Sequence, residues 1–231
     1  MWSSVFTWGG AALGLPAAGD IVVIQKGQTI VLDVNTPILK MVVIQGGELI
    51  FDDQNVELQA ENILITDGGL LQVGTEEKPF QHNAFITLHG HYRSKELPIY
   101  GTKSLAVREG TLDLHGRHVP ITWTKLGETA NMGETKIKLR HTVTWQKEDQ
   151  IVIATTGGTS SYSESEVFTI VMIADDNRTI TLNKNLTSTH LGVSELLAGR
   201  DADFSAEVGL LSRNVVIRGH SDPQWTKKVK E

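Results

Sequence analysis

Cysteine is absent from this sequence of 231 residues. Its absence excludes disulfide frameworks, cysteine-ligated zinc sites and cysteine nucleophiles, although it does not identify the cellular compartment. Long hydrophobic runs are also absent, since runs such as Met41–Ile44 are far shorter than the about 20 residues that a membrane-spanning helix requires. No basic segment followed by an apolar one comes after Met1, so no secretory signal is visible, and we expect the chain to be part of a longer protein.

Positive charge is scarce as well. The chain has 21 lysines and arginines against 27 aspartates and glutamates, a formal net charge of −6. Because nucleic-acid binding depends on neutralising phosphates, this acidic balance argues against a nucleic-acid partner. The glycine pairs at 46–47, 68–69 and 157–158 do not lie between a strand and a helix start, so they do not indicate a phosphate-binding loop.

Glycine is abundant where proline is scarce, with 22 glycines against 6 prolines. Short β-branched runs lead into glycine turns, and another apolar alternation follows each turn. Gly27, Gly47 and Gly68 are about 20 residues apart, a spacing that indicates a repeat. One repeat cannot bury its own apolar face, whereas stacked repeats can, with aliphatic side chains inside and polar ones outside. The pattern therefore predicts an all-β, solenoid-like fold with little helix; an antiparallel β-sandwich is the alternative.

The pattern of short apolar runs and glycine turns changes after Leu126. A polar loop follows, and then further strand-like segments that are rich in β-branched residues, such as Val167–Ile173 and Thr179–Leu182. Gly157–Glu166 is rich in glycine, serine and threonine, which indicates an exposed loop. Ser194–Ala198 is predicted to form one short helix, with Ser194 as its cap.

Several motifs carry a family resemblance. Trp8-Gly9, Gly19-Asp20, Gln45-Gly46-Gly47-Glu48, Asp67-Gly68-Gly69 and Leu112-Asp113-Leu114-His115-Gly116 resemble the G-eight domain, a β-rich extracellular module named for its eight glycines. The resemblance implies such a domain over residues 5–125.

The second half resembles the continuation of this module in its relatives. Trp145-Gln146 and Asp149–Thr155 are similar to the segment that follows the module, although Glu148 stands where a glycine commonly precedes the aspartate. Glu207–Gly219 is similar to the strand that opens a right-handed parallel β-helix in those proteins. The resemblance thus implies a β-rich continuation over residues 126–231 that leads into a parallel β-helix.

Two branches of the family imply different functions. One contains fibrocystin and fibrocystin-L, very large single-pass cell-surface proteins, and it implies a non-enzymatic extracellular module for structure, adhesion or reception. The other contains cell-surface and secreted hyaluronidases, and it implies a domain that binds or depolymerises hyaluronan. This sequence is more similar to the fibrocystin-L branch, so the implied partner is an extracellular protein or a glycan, with no cofactor and no insertion of this segment into a membrane.

Histidines are the most suggestive polar residues. Leu88-His89-Gly90-His91 and Leu114-His115-Gly116 echo each other, and strand alternation is expected to turn His89 and His115 outward. Stacking would bring these two histidines onto one face together with Asp113. If the protein is an enzyme, His89, His91, Asp113 and His115 would be its acid and base residues. Solvent-facing structural roles are the alternative, and no motif of metal-ligand spacing is present, so we predict no metal site.

Cations and aromatic residues bear on ligand binding. If the chain binds a polyanion, its contacts would be Arg93, Lys103, Arg108 and Arg117. Trp123 alternates with threonines and is expected to pack in the core or at an end, because large aromatic residues are mostly buried. Asn177 and Asn185 begin N-x-T sequons and are predicted glycosylation sites.

Overall fold

Strands form nearly all of the regular structure of this chain. The computed structural model describes residues 1–11, 14–91, 94, 96–158 and 161–221. Two short 3₁₀ helices, Val5–Trp8 and Tyr162–Glu164, are the helical segments of the described part. The prediction of an all-β chain with little helix is therefore confirmed. The strands are β1 (Ile21–Gln25), β2 (Thr29–Leu32), β3 (Leu39–Gln45), β4 (Glu48–Phe51), β5 (Val56–Thr66), β6 (Leu70–Val73), β7 (Ala84–Leu88), β8 (Leu105–Arg108), β9 (Thr111–Leu114), β10 (Trp123–Lys125), β11 (Lys136–Lys138), β12 (Gln150–Ile153), β13 (Glu166–Ile173), β14 (Thr179–Leu182), β15 (Ser194–Leu197), β16 (Arg200–Asp203), β17 (Glu207–Leu210) and β18 (Val215–Gly219).

The chain forms two compact units. The first comprises residues 1–117 together with the segment that begins at Arg213, and the second comprises His118–Ser212. Each unit has its own hydrophobic core. Within the described residues, no helix has the length and apolar character needed to cross a lipid bilayer.

Parallel pairing defines both sheets of the first unit. One sheet has the order β1-β3-β5-β7-β18, with β8 also paired to β5, and the other has the order β2-β4-β6-β9. The register places Ile24 beside Ile44, and Ile44 beside Ile65. Residues at equivalent positions of successive segments thus lie side by side, as the spacing of the sequence pattern predicted.

Aliphatic side chains fill the core of this unit. Burial alternates along β1 and β2, with Val22, Ile24, Ile30 and Leu32 buried between more exposed neighbours. This alternation follows from the pleat, which sends successive side chains to opposite faces of a strand.

The second unit is built from antiparallel pairs. A six-stranded sheet has the order β10-β17-β12-β13-β14-β11, and β10 lies at its edge. Its core contains Leu139, Ile151, Phe168 and Val208. The segment Glu207–Gly219, which the sequence comparison treated as one strand, forms two strands that belong to different units. Strand β17 belongs to this sheet, and β18 pairs with β7 of the first unit.

The predicted helix at Ser194–Ala198 is wrong. Ser194–Leu197 is strand β15, which forms an antiparallel hairpin with β16. Ala198 and Gly199 have φ angles of 51° and 79°, and two successive residues in the left-handed region make a tight hairpin turn. This turn reverses the chain at the point where a helix would have continued.

Candidate functional site

His89 immediately follows β7 and is buried, with only 7% of its surface exposed. Its Nε2 lies 3.1 Å from Oε1 of Gln59, and its ring stacks on the ring of His220 at a centroid distance of 4.6 Å and an angle of 24°. Alternation does place His89 on the same side of the strand as Thr87. The expectation that it faces solvent is nevertheless wrong, because His220 covers it.

Burial also changes the acidity of His89. Its pKa is lowered, first because burial disfavours the charged imidazolium and then because the neighbouring His220 repels a second positive charge. Since the ordinary value is 6.5, His89 is mostly neutral at pH 7.

A cleft of about 410 Å³ lies beside this histidine pair. Glu57 accepts hydrogen bonds from Thr87 and, at 2.9 Å, from Nη2 of Arg218, while Arg218 also donates to Thr87 at 2.9 Å. The Arg218 guanidinium lies 4.4 Å from the centroid of the Phe85 ring. The remaining residues that line the cleft are Gln59, Gly219, His220 and Ser221.

Glu57 is held in its ionised form. Burial alone would raise its pKa, but the hydrogen bonds from Thr87 and Arg218, together with the charge of Arg218, leave the pKa below its ordinary value. This carboxylate therefore serves as a hydrogen-bond acceptor and not as a proton donor at neutral pH.

Asp113 and His115 form a second polar pair, on the other sheet. His115 Nε2 lies 2.7 Å from Asp113 Oδ1, and Gln72 donates to Oδ2 of Asp113 at 2.8 Å. Gln72 and Asp113 are direct neighbours across β6 and β9. Because His89 follows β7 in the first sheet and His115 follows β9 in the second, the structure does not unite these histidines in the single constellation that stacking suggested.

The predicted cationic contacts are placed separately. Lys103 donates from Nζ to the His220 carbonyl at 2.7 Å and thus lies beside the cleft. Arg108 is exposed at the end of β8, and the backbone N–H of Arg117 donates to Oδ1 of Asn214 at 2.9 Å. His91 is half-buried and donates its backbone N–H to Oγ of Ser94 at 3.0 Å. Arg93 lies outside the described residues.

Two further sequence predictions concern metal binding and glycosylation. Among residues 1–221, excluding the undescribed positions, no group of three or more histidine, aspartate or glutamate side chains is arranged to hold a metal ion. Asn177 and Asn185 are both exposed, Asn177 in the turn between β13 and β14 and Asn185 after β14.

Sequence reasoning did not identify Glu57, Thr87, Arg218 and His220 as partners. Arg218 and Glu57 are 161 positions apart, so no local pattern connects them. Trp123 was expected to be buried, but 59% of its surface is exposed, because it lies on the outer face of the edge strand β10.

Comparison with known proteins identifies relatives along the whole chain. The sequence matches the family model of the G8 domain over residues 7–127. It is 57% identical to human fibrocystin-L over 99% of this chain and 39% identical to dog fibrocystin over 95% of it, and in each case it spans about 5% of the relative's length. It is also 30% identical to a G8 domain-containing protein of Dictyostelium discoideum, covering 15% of that protein.

One solved structure also aligns with the chain. The Gp54 tailspike of Acinetobacter baumannii bacteriophage AP22, in complex with a capsular saccharide, aligns over 77% of this chain and 23% of its own, with 12% identity and a TM-score of 0.32. A score this low does not support an assignment of fold or function.

Proposed function

Because this chain belongs to the G8 domain family, we propose that it is a non-enzymatic structural, adhesive or receptor-like module of a large fibrocystin-type protein at the cell surface. Its similarity to fibrocystin-L and fibrocystin extends over nearly the whole chain, including the part beyond the G8 match. Its function then lies in the surfaces that the module presents, since a shared fold does not itself specify chemistry.

The pairing of polar side chains is the observation that carries the non-enzymatic proposal. In the described residues, every buried side-chain nitrogen and oxygen has a hydrogen-bond partner. Each carboxyl group there with a resolved pKa shift has its pKa lowered, namely Asp33, Glu57, Glu166, Asp176 and Asp203. A glycosidase needs one carboxyl group with a raised pKa as its general acid, so these five groups favour structural roles.

We further propose that the parallel strands of the first unit are coils of a right-handed parallel β-helix. The side-by-side register of Ile24, Ile44 and Ile65 supports this arrangement, because equivalent positions of successive coils stack in such a fold. Locked by ladders on both sides, the coils would form a rigid support for the exposed side chains. A crystal structure in which the polypeptide winds left-handed, or does not wind at all, would contradict the proposal.

An extracellular location gives this module its partners, a glycan or another extracellular protein. Both sequon asparagines are exposed, which supports modification in the secretory pathway. Secretion of the chain from a mammalian host should yield a mass increase that peptide-N-glycosidase removes, with partial losses in Asn177→Gln and Asn185→Gln. Secreted protein with an unmodified mass at both sites would count against the extracellular location.

Depolymerisation of hyaluronan is the second candidate function. One observation favours it: Asp113 and His115 are 2.7 Å apart and partly exposed, so they are able to exchange a proton with a bound substrate. The proposed non-enzymatic role predicts that long hyaluronan keeps its size-exclusion profile after incubation with this chain. Shortening that disappears in His115→Ala but persists in Lys26→Ala, which changes an exposed cation with no assigned role, would overturn the non-enzymatic proposal and support the second.

A further inference from the structure

Trp123 presents an aromatic face to solvent in the second unit. It begins the edge strand β10, and 59% of its surface is exposed. An exposed indole of this extent is unusual, because burial of a large aromatic side chain is favourable and most tryptophans are largely buried. Other apolar side chains of the described residues are also exposed, among them Phe6 and Ile99.

Two contacts fix the orientation of the ring. Nε1 of Trp123 donates to Oε2 of Glu207 at 2.5 Å. The six-membered part of the indole lies over Gly209, where an added Cβ would be only 2.9 Å from two ring carbons. Gly209 is the direct cross-strand neighbour of Trp123. Because glycine has no side chain, the indole ring packs flat against the sheet at this position. The indole is therefore preorganised, and binding to it would cost little conformational entropy.

Charged groups frame one side of the ring. Lys125 Nζ lies 3.2 Å from Oε1 of Glu207 and 2.9 Å from Oδ2 of Asp203. Arg140 forms two hydrogen bonds to Asp203, of 2.7 and 3.1 Å, and one of 2.8 Å to Oγ of Ser205. A carboxylate offers about four acceptor sites, and those of Asp203 are filled by Lys125, Arg140, Ser194 and Ser205. Glu207 accepts one donor at each oxygen, Trp123 and Lys125, and therefore retains capacity for further donors.

The charges of this frame cancel. Lys125 and Arg140 neutralise Asp203 and Glu207, and both cations are already engaged with these carboxylates. A polyanion such as hyaluronan would gain no excess positive charge here, whereas a neutral ligand with hydroxyl groups would meet both acceptors and donors.

The surface continues beyond the ring as a row across the sheet. Trp123 is paired with Gly209, Gly209 with Val152, and Val152 with Val167, which is exposed. Three steps between neighbouring strands span about 14 Å, a length that suits a short oligosaccharide. A protein partner would bury about 800 Å² of accessible surface on each side, a much larger surface than this single ring and valine row provide.

We propose that Trp123, Glu207 and Lys125 form a binding platform for a neutral oligosaccharide, with Asp203 holding Lys125 in position. A pyranose ring has an apolar face of C–H groups, which would stack on the indole, and a rim of hydroxyl groups, which would bond the Glu207 carboxylate and the Lys125 ammonium. This inference deepens the proposed adhesive role and rests on it for the biological setting of the ligand.

The test follows the indole N–H signals of the 231-residue chain by nuclear magnetic resonance. The chain contains five tryptophans, and Trp123→Phe identifies the signal of Trp123. We expect titration with cellohexaose or mannohexaose to shift this signal selectively, with a dissociation constant of about 1 mM or lower. Hyaluronan hexasaccharide, the charged comparison, should bind at least about tenfold more weakly at the same signal.

Three variants separate the platform from a general effect on folding. Trp123→Ala should weaken binding of the neutral hexasaccharide by about tenfold or more, and Gly209→Ala should weaken it severalfold by displacing the retained indole. Phe6→Ala, which removes another exposed aromatic side chain in the first unit, should leave the affinity unchanged.

Each outcome of this experiment decides the proposal. A fold-preserving Trp123→Ala variant that still binds as well as the parent would overturn it. So would the absence of any shift of the Trp123 signal with both neutral sugars, or an equal affinity for hyaluronan. Those results would leave the structural role of the module standing, since that role is tested separately by the size of long hyaluronan and by secretion.

Discussion

Glu166 illustrates how single residues of this chain hold buried charge. It is 8% exposed and accepts hydrogen bonds from the backbone N–H groups of Thr187 and Ser188 and from the Thr187 hydroxyl. Nε2 of His190, which is fully buried, lies 3.1 Å from it, and Nδ1 of His190 lies 3.0 Å from the Ala154 carbonyl. Burial would raise the pKa of Glu166, yet these donors lower it. The pair thus connects three segments of the second unit instead of serving chemistry at the surface.

Asp176 provides a prediction at the same scale. The backbone N–H groups of Thr179 and Arg178, followed by the Thr179 hydroxyl, lower its pKa from 3.8 to about 2. Because the folded form has the lower pKa, ionised Asp176 stabilises the fold above pH 3.8, and this contribution is lost as the pH falls towards about 2. Asp176→Asn should therefore lower the urea midpoint at about pH 5, with a smaller difference from the parent at about pH 2.5.

Asp175→Asn, which changes the adjacent exposed carboxylate, is the matched control for this comparison. A deficit in Asp176→Asn that is constant across the pH range would show that lost hydrogen bonds, and not the shifted pKa, explain the effect.

At the scale of the structural element, the strand turns of the first unit use two neighbouring glycines for different reasons. Gly68 has a φ of 81°, in the left-handed region, and a Cβ there would meet nothing within 4 Å. Gly69 lacks this constraint, but a Cβ there would be 2.2 Å from the carbonyl oxygen of Ile44 on the preceding segment. The first glycine permits the turn, and the second permits neighbouring segments to approach closely.

Substitution of these glycines should separate the two effects. Gly68→Ala should cost about 1 kcal/mol of unfolding free energy, the price of a left-handed alanine. Gly69→Ala should cost about 3 kcal/mol, because backbone atoms and not a flexible side chain oppose the new methyl group. Urea unfolding of both variants measures the difference, and equal losses would contradict the close approach at Gly69.

At the scale of the whole molecule, the first unit is assembled from two distant parts of the chain. Residues 118–212 form the second unit, and the chain then returns to add β18 to β7. Asn214 secures this return: Nδ2 donates to the carbonyls of Phe80 and His82 at 2.7 and 2.8 Å, and Oδ1 accepts from the backbone of Arg117 at 2.9 Å. The last residue before the second unit and one of the first after it are thereby held together.

Asn214→Ala is expected to destabilise the first unit. The variant leaves two carbonyl groups and one N–H group without their partner in a site where Asn214 is only 6% exposed, so the free energy of unfolding should fall by about 3 kcal/mol. Asn131→Ala, at an exposed loop position, should change it by less than about 0.5 kcal/mol. Hydrogen exchange of the β18 amides reports the loss locally, and unchanged protection would refute the role assigned to Asn214.

The sequence alone determined the local features of this protein. Alternation in Val22-Val23-Ile24 and in similar runs predicted strands with one buried face, and the spacing of the glycines predicted that equivalent segments lie beside one another. These features are readable because a strand's pleat and a turn's backbone angles depend on residues within a few positions. The helix predicted at Ser194–Ala198 was wrong because its pattern covers only five residues, and so short a pattern is also compatible with a hairpin strand.

Only the tertiary structure decided which polar groups meet and which side chains reach solvent. Glu57 and Arg218, or Asn214 and Phe80, come together across more than half of the chain, and local patterns carry no information about such pairs. His89 is buried where exposure was expected, because His220 covers it. Trp123 is exposed where burial was expected, because β10 lies at the edge of its sheet. Exposure of a side chain is a property of its neighbours in space, and these neighbours exist only once the sheets have formed.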